Sequence, residues 1–312
     1  MAKEKKKVEI KPITLYLYRC SASEGRKMVQ GMRQNANNGI VPEKVFNDSL
    51  IQMQHLKTTK MLMQGVMRRF DSENLPSVGK VGEQDEHPVS MDDNQFLTKK
   101  THFLYDIEQG FLLYEQKAVS MKTFSSYVNV IAKSAVNFEF VLTERAITLL
   151  ANNKLRLKKM IFRIARPTME ILANVDIPGL SWIRLMAQGA IEAGSNSMDL
   201  VVSGGTIRHR NKKMSLGDHV WETIGSLKEF LSAEHGDKGA VEFYDEDDVH
   251  HPLDLIADRM KIVVPPEELR TVMRKEGNKS YIDSPKFLNV MKGKMEEAQP
   301  ELSKMFDGEE ND

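Results

Sequence analysis

The sequence predicts an α+β protein with antiparallel sheets, packed helices and two domains. Segments that alternate like strands mix with helical segments, without the regular β–α–β rhythm of a parallel sheet. The β-rich segments 101–106 and 111–116 flank Glu108, Gln109 and Gly110, which predicts a hairpin. The length of 312 residues favours about two domains, at roughly 150 residues each.

The first part of the chain is predicted to be rich in strands. Residues 13–20 alternate in the manner of a strand, and residues 23–34 carry helix formers. A further strand is expected at 58–70, bent at Gly65. Residues 71–95 are acidic, contain Gly and Pro and show no periodicity, which predicts a long flexible loop.

The remaining elements follow from helical spacing, caps and short β-rich runs. Helices are predicted at 119–134, at 143–150 with Thr143 as the cap, at 180–193 ending at Gly194, at 215–234, and at 285–306. Strands are predicted at 137–142, 154–165, 198–202, 240–244 and 260–264.

Composition excludes several classes of protein. The chain is 41% hydrophobic and 28% charged, as in ordinary soluble proteins. Its apolar runs are far shorter than the about 20 residues of a membrane-spanning helix. No apolar core follows the basic N-terminus, so we expect no secretory signal. A single cysteine, Cys20, excludes an internal disulfide framework, and we expect a cytoplasmic protein.

The net charge of zero conceals a strong asymmetry along the chain. The 44 basic and 44 acidic residues divide into +3 for residues 1–97, +8 for 98–213 and −11 for 214–312. These limits give three predicted regions: an N-terminal β-rich segment with the loop 71–95, a basic DNA-binding α+β region, and an acidic α+β region with a terminal helix. Such asymmetry is typical of a nucleic-acid partner or an acidic arm.

Two clusters concentrate the positive charge of the middle region. One lies on the strand predicted at 154–165, where alternate cations stand about 6.6 Å apart, close to the spacing of phosphates along a nucleic-acid strand. The other follows the strand at 198–202 as a predicted basic loop. The ten candidate contacts are Lys154, Arg156, Lys158, Lys159, Arg163, Arg166, Arg208, Arg210, Lys212 and Lys213. Lys99, Lys100, Lys117, Lys122 and Lys133 add charge to the same region. We expect phosphate contacts with little base reading.

Catalytic patterns give no positive case for an enzyme. The sequence has no P-loop, no dinucleotide-binding glycine motif and no nucleophile elbow, and we expect no cofactor. Gly204 and Gly205 after Ser203 are compatible with a phosphate cradle, but a plain turn is the commoner role of such a pair.

A metal site is also poorly supported by the pattern. His250 and His251 lie near Asp245, Asp247 and Asp248, but the segment is typical of a polar hairpin loop. A metal-dependent nuclease would draw on that loop, or on the set Asp254, Asp258 and Lys261, whose spacing is wrong for one strand face.

From about residue 98 onward the chain resembles the RexA-type phage-exclusion proteins of temperate phages. The resemblance rests on the hairpin at 103–114, on Arg163-Ile-Ala-Arg166 followed by Pro167, and on the segments 171–179 and 197–202 with their basic sequel. The helix after Ser284 also fits. It covers roughly two thirds of the chain and rests on spacing and character, since no single motif is diagnostic.

This resemblance implies a homodimer of two-domain subunits that binds DNA without sequence specificity. It also implies a role in abortive infection together with a separate membrane protein. The basic residues of the matching strand and loop are the implied DNA contacts. The sequence leaves open whether DNA or RNA is preferred. It leaves two other functions open: the nuclease described above, and a protein-interaction module whose opposite charges drive self-assembly.

Overall fold

The computed structural model describes residues 10–46, 49–71, 77–79, 86–88, 97–152, 155–165, 181–204, 206–207, 212–213, 216, 231, 238–245, 249–276 and 279–306. The strands are β1 Ile13–Arg19, β2 Val41–Phe46, β3 Ser49–Thr58, β4 Leu62–Asp71, β5 Ser77–Gly79, β6 Glu86–Pro88, β7 Leu97–Asp106, β8 Phe111–Tyr114, β9 Glu139–Phe140, β10 Arg156–Ala165, β11 Ser197–Ser203, β12 Thr206–Ile207, β13 Lys212–Lys213, β14 Lys238–Tyr244, β15 His250–Asp254, β16 Lys261–Val264, β17 Met273–Glu276 and β18 Lys279–Ile282. The helices are α1 Ala22–Asn35, α2 Met121–Ala132, α3 Glu144–Ala151, α4 Ser181–Glu192, α5 Pro266–Val272 and α6 Ser284–Phe306.

Contacts along the chain divide it into two compact units. Unit 1 consists of residues 1–137 and 261–312, and unit 2 of residues 138–260. Unit 2 is therefore inserted into the chain of unit 1, which resumes at strand β16. These limits differ from the boundaries predicted near residues 97 and 213, which stay predictions.

Unit 1 is built on an antiparallel sheet. Its strands lie in the order β16-β1-β8-β7-β4-β3-β2. Because side chains alternate along a strand, β7 sends residues to both faces. Phe103 packs against Phe124 of α2, with ring centroids 5.1 Å apart. The next residue back, His102, packs against Phe287 of α6 at 4.9 Å. Helices α1 and α2 therefore cover one face of the sheet, and α6 covers the other.

The helices of unit 1 begin at polar caps and bury one side each. The Ser21 hydroxyl accepts a hydrogen bond from the Glu24 N–H, and the Ser120 hydroxyl accepts one from the Thr123 N–H. Helix α6 buries residues at three- and four-residue spacing along its face. The largest are Phe287, Leu288, Met291, Met295 and Leu302. The long helix predicted at 285–306 is therefore confirmed.

Unit 2 contains a four-stranded antiparallel sheet in the order β11-β10-β14-β15. One face of this sheet is apolar and forms a core, in which Met160, Phe162, Phe243 and Leu253 are at most 1% exposed. The opposite face carries the charged residues of β10. The α+β class with antiparallel sheets is thus confirmed from the described residues of both units.

Several local predictions are wrong. The sequence predicts no strands at 41–46 and 49–57, where β2 and most of β3 form. His250 and His251, predicted to lie in a loop, belong to β15 and pair with β14. Within 71–95, strands β5 and β6 form a short hairpin. Thr143 precedes α3 as predicted, but its side chain makes no capping hydrogen bond.

Other predictions fall on residues that the structure does not describe. The helix predicted at 215–234 is described only at Leu216 and Leu231, and the break predicted at 167–178 lies outside the described residues. Within the described part of the chain, no helix combines the length and apolarity needed to cross a membrane.

Candidate anion-binding site

Strand β10 carries the predicted basic face, and its alternation is as expected. Leu155 and Leu157 are 4% and 1% exposed and face the core, whereas Arg156 and Lys158 are half-buried on the other face. A register shift between Leu157 and Lys159 interrupts the pairing with β14. After this bulge the alternation resumes, so that Lys159 and Arg163 also avoid the core.

The described cations of β10 are engaged by groups of unit 2 itself. The Lys159 Nζ lies 3.1 Å from the Glu242 Oε1 on β14. The Arg163 guanidinium donates to both carboxylate oxygens of Asp199 on β11, at 2.6 and 2.8 Å. This hydrogen bonding holds the pKa of Asp199 below its ordinary value. The basic strand therefore lies between strands that supply acidic partners.

Two further contacts use backbone carbonyls. The Arg156 Nη2 donates to the Asp245 carbonyl at 2.7 Å, and the Lys158 ammonium donates to the Gly204 carbonyl. The Gly204 N–H in turn donates to the Lys158 carbonyl at 2.8 Å. Gly204 is therefore bonded to β10 in both directions, and this N–H is not directed at a phosphate.

The charge asymmetry along the chain is largely cancelled within unit 2. Residues 138–260 contain 15 basic and 18 acidic residues, a net charge of −3, because the basic strand and part of the acidic region belong to one unit. Glu242 and Asp245, which contact β10, both come from the region 214–312.

The other predicted contacts are only partly described. Lys212 and Lys213 form β13, which pairs with β12, and their side chains are not described. The remaining four, Lys154, Arg166, Arg208 and Arg210, lie outside the described residues. The ten predicted DNA contacts stay a prediction.

The candidate metal and nuclease residues stabilise turns and strands. The His251 Nε2 lies 3.0 Å from the Asp245 Oδ2, and His250 lies 3.5 Å from Glu242. The Asp254 Oδ1 accepts hydrogen bonds from two N–H groups of its own turn. Among the described residues, no three potential ligand side chains are gathered as a metal ion would require.

The structure reveals a buried polar relay in unit 1 that the sequence did not indicate. The His102 Nδ1 on β7 lies 2.6 Å from the Glu115 Oε2, and its Nε2 lies 3.0 Å from the Ser284 Oγ at the start of α6. The three residues are at most 4% exposed. The order of groups resembles a hydrolase triad, but a serine this buried presents no nucleophile to a substrate. The relay instead fixes the position of α6 and the orientation of the His102 ring.

Next to this relay, two paired strands carry four cations, two on each face of the sheet. We call Arg68 and Arg69 of β4 and Lys99 and Lys100 of β7 the basic block. In the antiparallel register Arg68 lies opposite Lys100, and Arg69 lies opposite Lys99. Like charges directly opposite one another destabilise a strand pair. The basic block is therefore a local conflict in the sheet.

Two members of the basic block are half-buried and unmatched. Burial lowers the pKa of the Arg68 guanidinium. Burial and the Arg68 charge lower the pKa of Lys100, while Asp283 opposes the shift. Within the described residues neither side chain makes a hydrogen bond or an ion pair, and the Arg68 Nε is buried without a partner. Arg68 and Lys100 therefore face each other as a half-buried pair of like charges.

Two clefts open beside the basic block. The tyrosine cleft, of about 480 Å³, is lined by Lys99, Lys100, His102 and Tyr281. The helix cleft, of about 470 Å³, is lined by Arg69 and by Ser120 and Thr123 at the start of α2. Lys117 and Ala118 line both clefts. No local sequence motif predicts this site, because its cations come from two segments that are separated by the acidic segment 71–95.

Comparison with protein-family models, with curated proteins and with solved structures found no match to the chain. The resemblance to the phage-exclusion family stays a prediction.

Proposed function

We propose that this protein binds the phosphate backbone of nucleic acid through the basic block, with little dependence on base sequence. The observation that carries the proposal is the half-buried pair Arg68 and Lys100, which face each other across two strands with no anionic partner among the described residues at bonding distance. A phosphate between two such cations converts a repulsion into two attractions.

Nucleic acid is the anion that best matches this arrangement. Lys99 and Lys100 line one cleft, Arg69 lines the other, and Lys117 borders both. Cations spread in this way suit a chain of phosphates better than a single ion. Neutralising several phosphates releases counterions, and binding should therefore fall steeply with salt. Because the site offers no recognition helix, its contacts would position the ligand without reading its bases.

The cations of β10 become secondary contacts in this proposal. Each described one, Arg156, Lys158, Lys159 or Arg163, already bonds to a group of unit 2. A phosphate would have to replace an acidic partner at Lys159 or Arg163, which reduces the net gain.

Fluorescence anisotropy with labelled oligonucleotides of unrelated sequence tests the proposal. The wild-type affinity should fall by at least tenfold between about 50 and 200 mM salt. The double variant Lys99→Glu/Lys100→Glu should lose binding and flatten the salt dependence. The control Lys261→Glu/Lys286→Glu makes the same charge change at exposed positions on β16 and α6. Salt-independent binding, or equal losses in both variants, would refute the role of the basic block.

We also propose, on the family resemblance, that the protein acts in phage exclusion as a homodimer with a separate membrane protein. Cells that express the wild type should reduce phage plating, whereas cells with Lys99→Glu/Lys100→Glu should not. Sedimentation at several protein concentrations measures the dimer directly. Normal plating on wild-type cells, across a panel of phages, would contradict the exclusion role.

A further inference from the structure

We infer that the ligand of the basic block is a single strand, one base of which stacks on Tyr281 while its phosphates occupy the two clefts. The inference rests on the proposed function and specifies its substrate class. It follows from the walls of the tyrosine cleft, which combine cations with an aromatic ring and apolar side chains.

Tyr281 presents an aromatic surface at the edge of the charged site. It lies on β18 of the hairpin β17–β18, where it pairs in register with Arg274, and it is 39% exposed. Met273 and Ile282 line the same cleft. An exposed ring beside a basic groove is the usual platform for bases of single strands, since every base offers a π-face whatever its identity.

The helix cleft supplies the position of a further phosphate of the same strand. Arg69 lines it together with the first turn of α2, which contains no acidic residue. The helix N-terminus adds partial positive charge to that of the arginine. Lys117 borders both clefts. Its side chain is 63% exposed, and its Nζ lies 3.7 Å from the Glu115 Oε1. A backbone that passes Lys117 at the edge of the sheet therefore meets Lys100 on one face and Arg69 on the other.

A duplex suits these features poorly. Each cleft has a volume of about 470 or 480 Å³, on the scale of a nucleotide. The bases of a duplex are stacked on both faces, so none is available to Tyr281 unless it is unstacked or flipped out. A single strand places its bases on a protein ring without that penalty.

Anisotropy with oligonucleotides of about 12 nucleotides, a length within the range of single-strand sites, tests the inference. The probes are a thymidine strand, the same strand with abasic linkers, and a blunt duplex of equal length. Wild-type protein should bind the thymidine strand at least tenfold more tightly than the duplex. Tyr281→Ala should bind the thymidine strand about tenfold more weakly, as expected for the loss of one stacked base, and should bind the abasic strand as tightly as wild type does. Tyr281→Phe keeps the ring and should bind like wild type.

The outcomes separate the two proposals. Equal binding of duplex and single strand, with no effect of Tyr281→Ala but a loss in Lys99→Glu/Lys100→Glu, overturns the single-strand inference and leaves backbone binding in place. No binding of any probe overturns both. Loss of binding in Tyr281→Phe as well as Tyr281→Ala would show that the hydroxyl or the hairpin, and not stacking, is required.

Discussion

Removing the Lys100 charge should stabilise the free protein while weakening its binding to nucleic acid. Methionine in place of Lys100 keeps an unbranched side chain and removes the ammonium group opposite Arg68. Relief of a directly opposed like-charge pair is worth about 0.2–1 kcal/mol, and attraction to Asp283 offsets part of it. We therefore expect Lys100→Met to raise the free energy of unfolding by about 0.5 kcal/mol.

The stability gained by Lys100→Met should decrease as the pH rises. In the folded protein the pKa of Lys100 is below its ordinary value, because of burial and then the Arg68 charge. The unfolded chain therefore holds this proton more tightly, and wild-type stability rises with pH through the interval between the two pKa values. The advantage of Lys100→Met is present at neutral pH and disappears near the ordinary lysine pKa, about 10.4.

Urea unfolding of four proteins measures the interaction between the two cations. The set is the wild type, Arg68→Met, Lys100→Met and the double variant. If the charges repel, the double variant gains less than the sum of the single variants, by about 0.2–1 kcal/mol. Lys261→Met, at an exposed site on β16, is the control and should change stability by under about 0.5 kcal/mol. Destabilisation by Lys100→Met, zero coupling, or unchanged affinity for oligonucleotides would refute the reasoning.

Three further predictions concern packing and chemistry in unit 1. Gly31→Ala should lower the free energy of unfolding by about 1–3 kcal/mol, because the new Cβ would lie 2.5 Å from the Ala132 carbonyl oxygen. A Cβ at Gly293 meets nothing within 4 Å, so Gly293→Ala should raise the free energy of unfolding by about 0.5–1 kcal/mol. Urea unfolding measures both variants. Ser284→Ala should lower the free energy of unfolding by about 1–3 kcal/mol, since it leaves the buried His102 Nε2 without its Ser284 partner. An unchanged free energy in urea unfolding would contradict a structural role for the relay. Burial raises the pKa of the Cys20 thiol to about 11, so its reaction with a disulfide reagent at pH 8 should be slow until the protein unfolds.

Local pattern was sufficient for elements whose own residues decide their structure. Strand β1, the hairpin β7–β8 and helix α6 follow alternation, a central glycine and helical spacing, and all three form where expected. In the hairpin, Gly110 adopts φ +76, the left-handed conformation that favours glycine.

The candidate site depends on register and not on local pattern. Arg68 and Lys100 become neighbours only through the pairing of β4 with β7, and the acidic loop between them lowers the charge of the N-terminal region. His102 and Ser284 are 182 positions apart in the chain. Such contacts arise from tertiary pairing, which composition and periodicity do not specify.

The pairing of the β10 cations with acidic residues could be predicted only in part from the sequence. The alternation of Arg156 with Leu155 and Leu157 predicted which face carries the charges. It did not identify the neighbouring strands, and these supply Glu242 and Asp199 as partners. A row of cations on a strand is therefore a weaker indication of a phosphate site than cations that lack such neighbours.

The insertion of unit 2 has a consequence for the order of folding during synthesis. Residues 138–260 leave the ribosome as one continuous stretch, before the strand and helix that complete unit 1. Strand β1 must wait for β16, because Ile13 of β1 pairs with Val264 of β16. The sheet face that carries His102 must wait for α6, which packs against it. Unit 2 can therefore fold first, while the older half of unit 1 keeps an unpaired strand edge and an uncovered apolar face. That interval is when the nascent chain is most prone to aggregate and most in need of a chaperone.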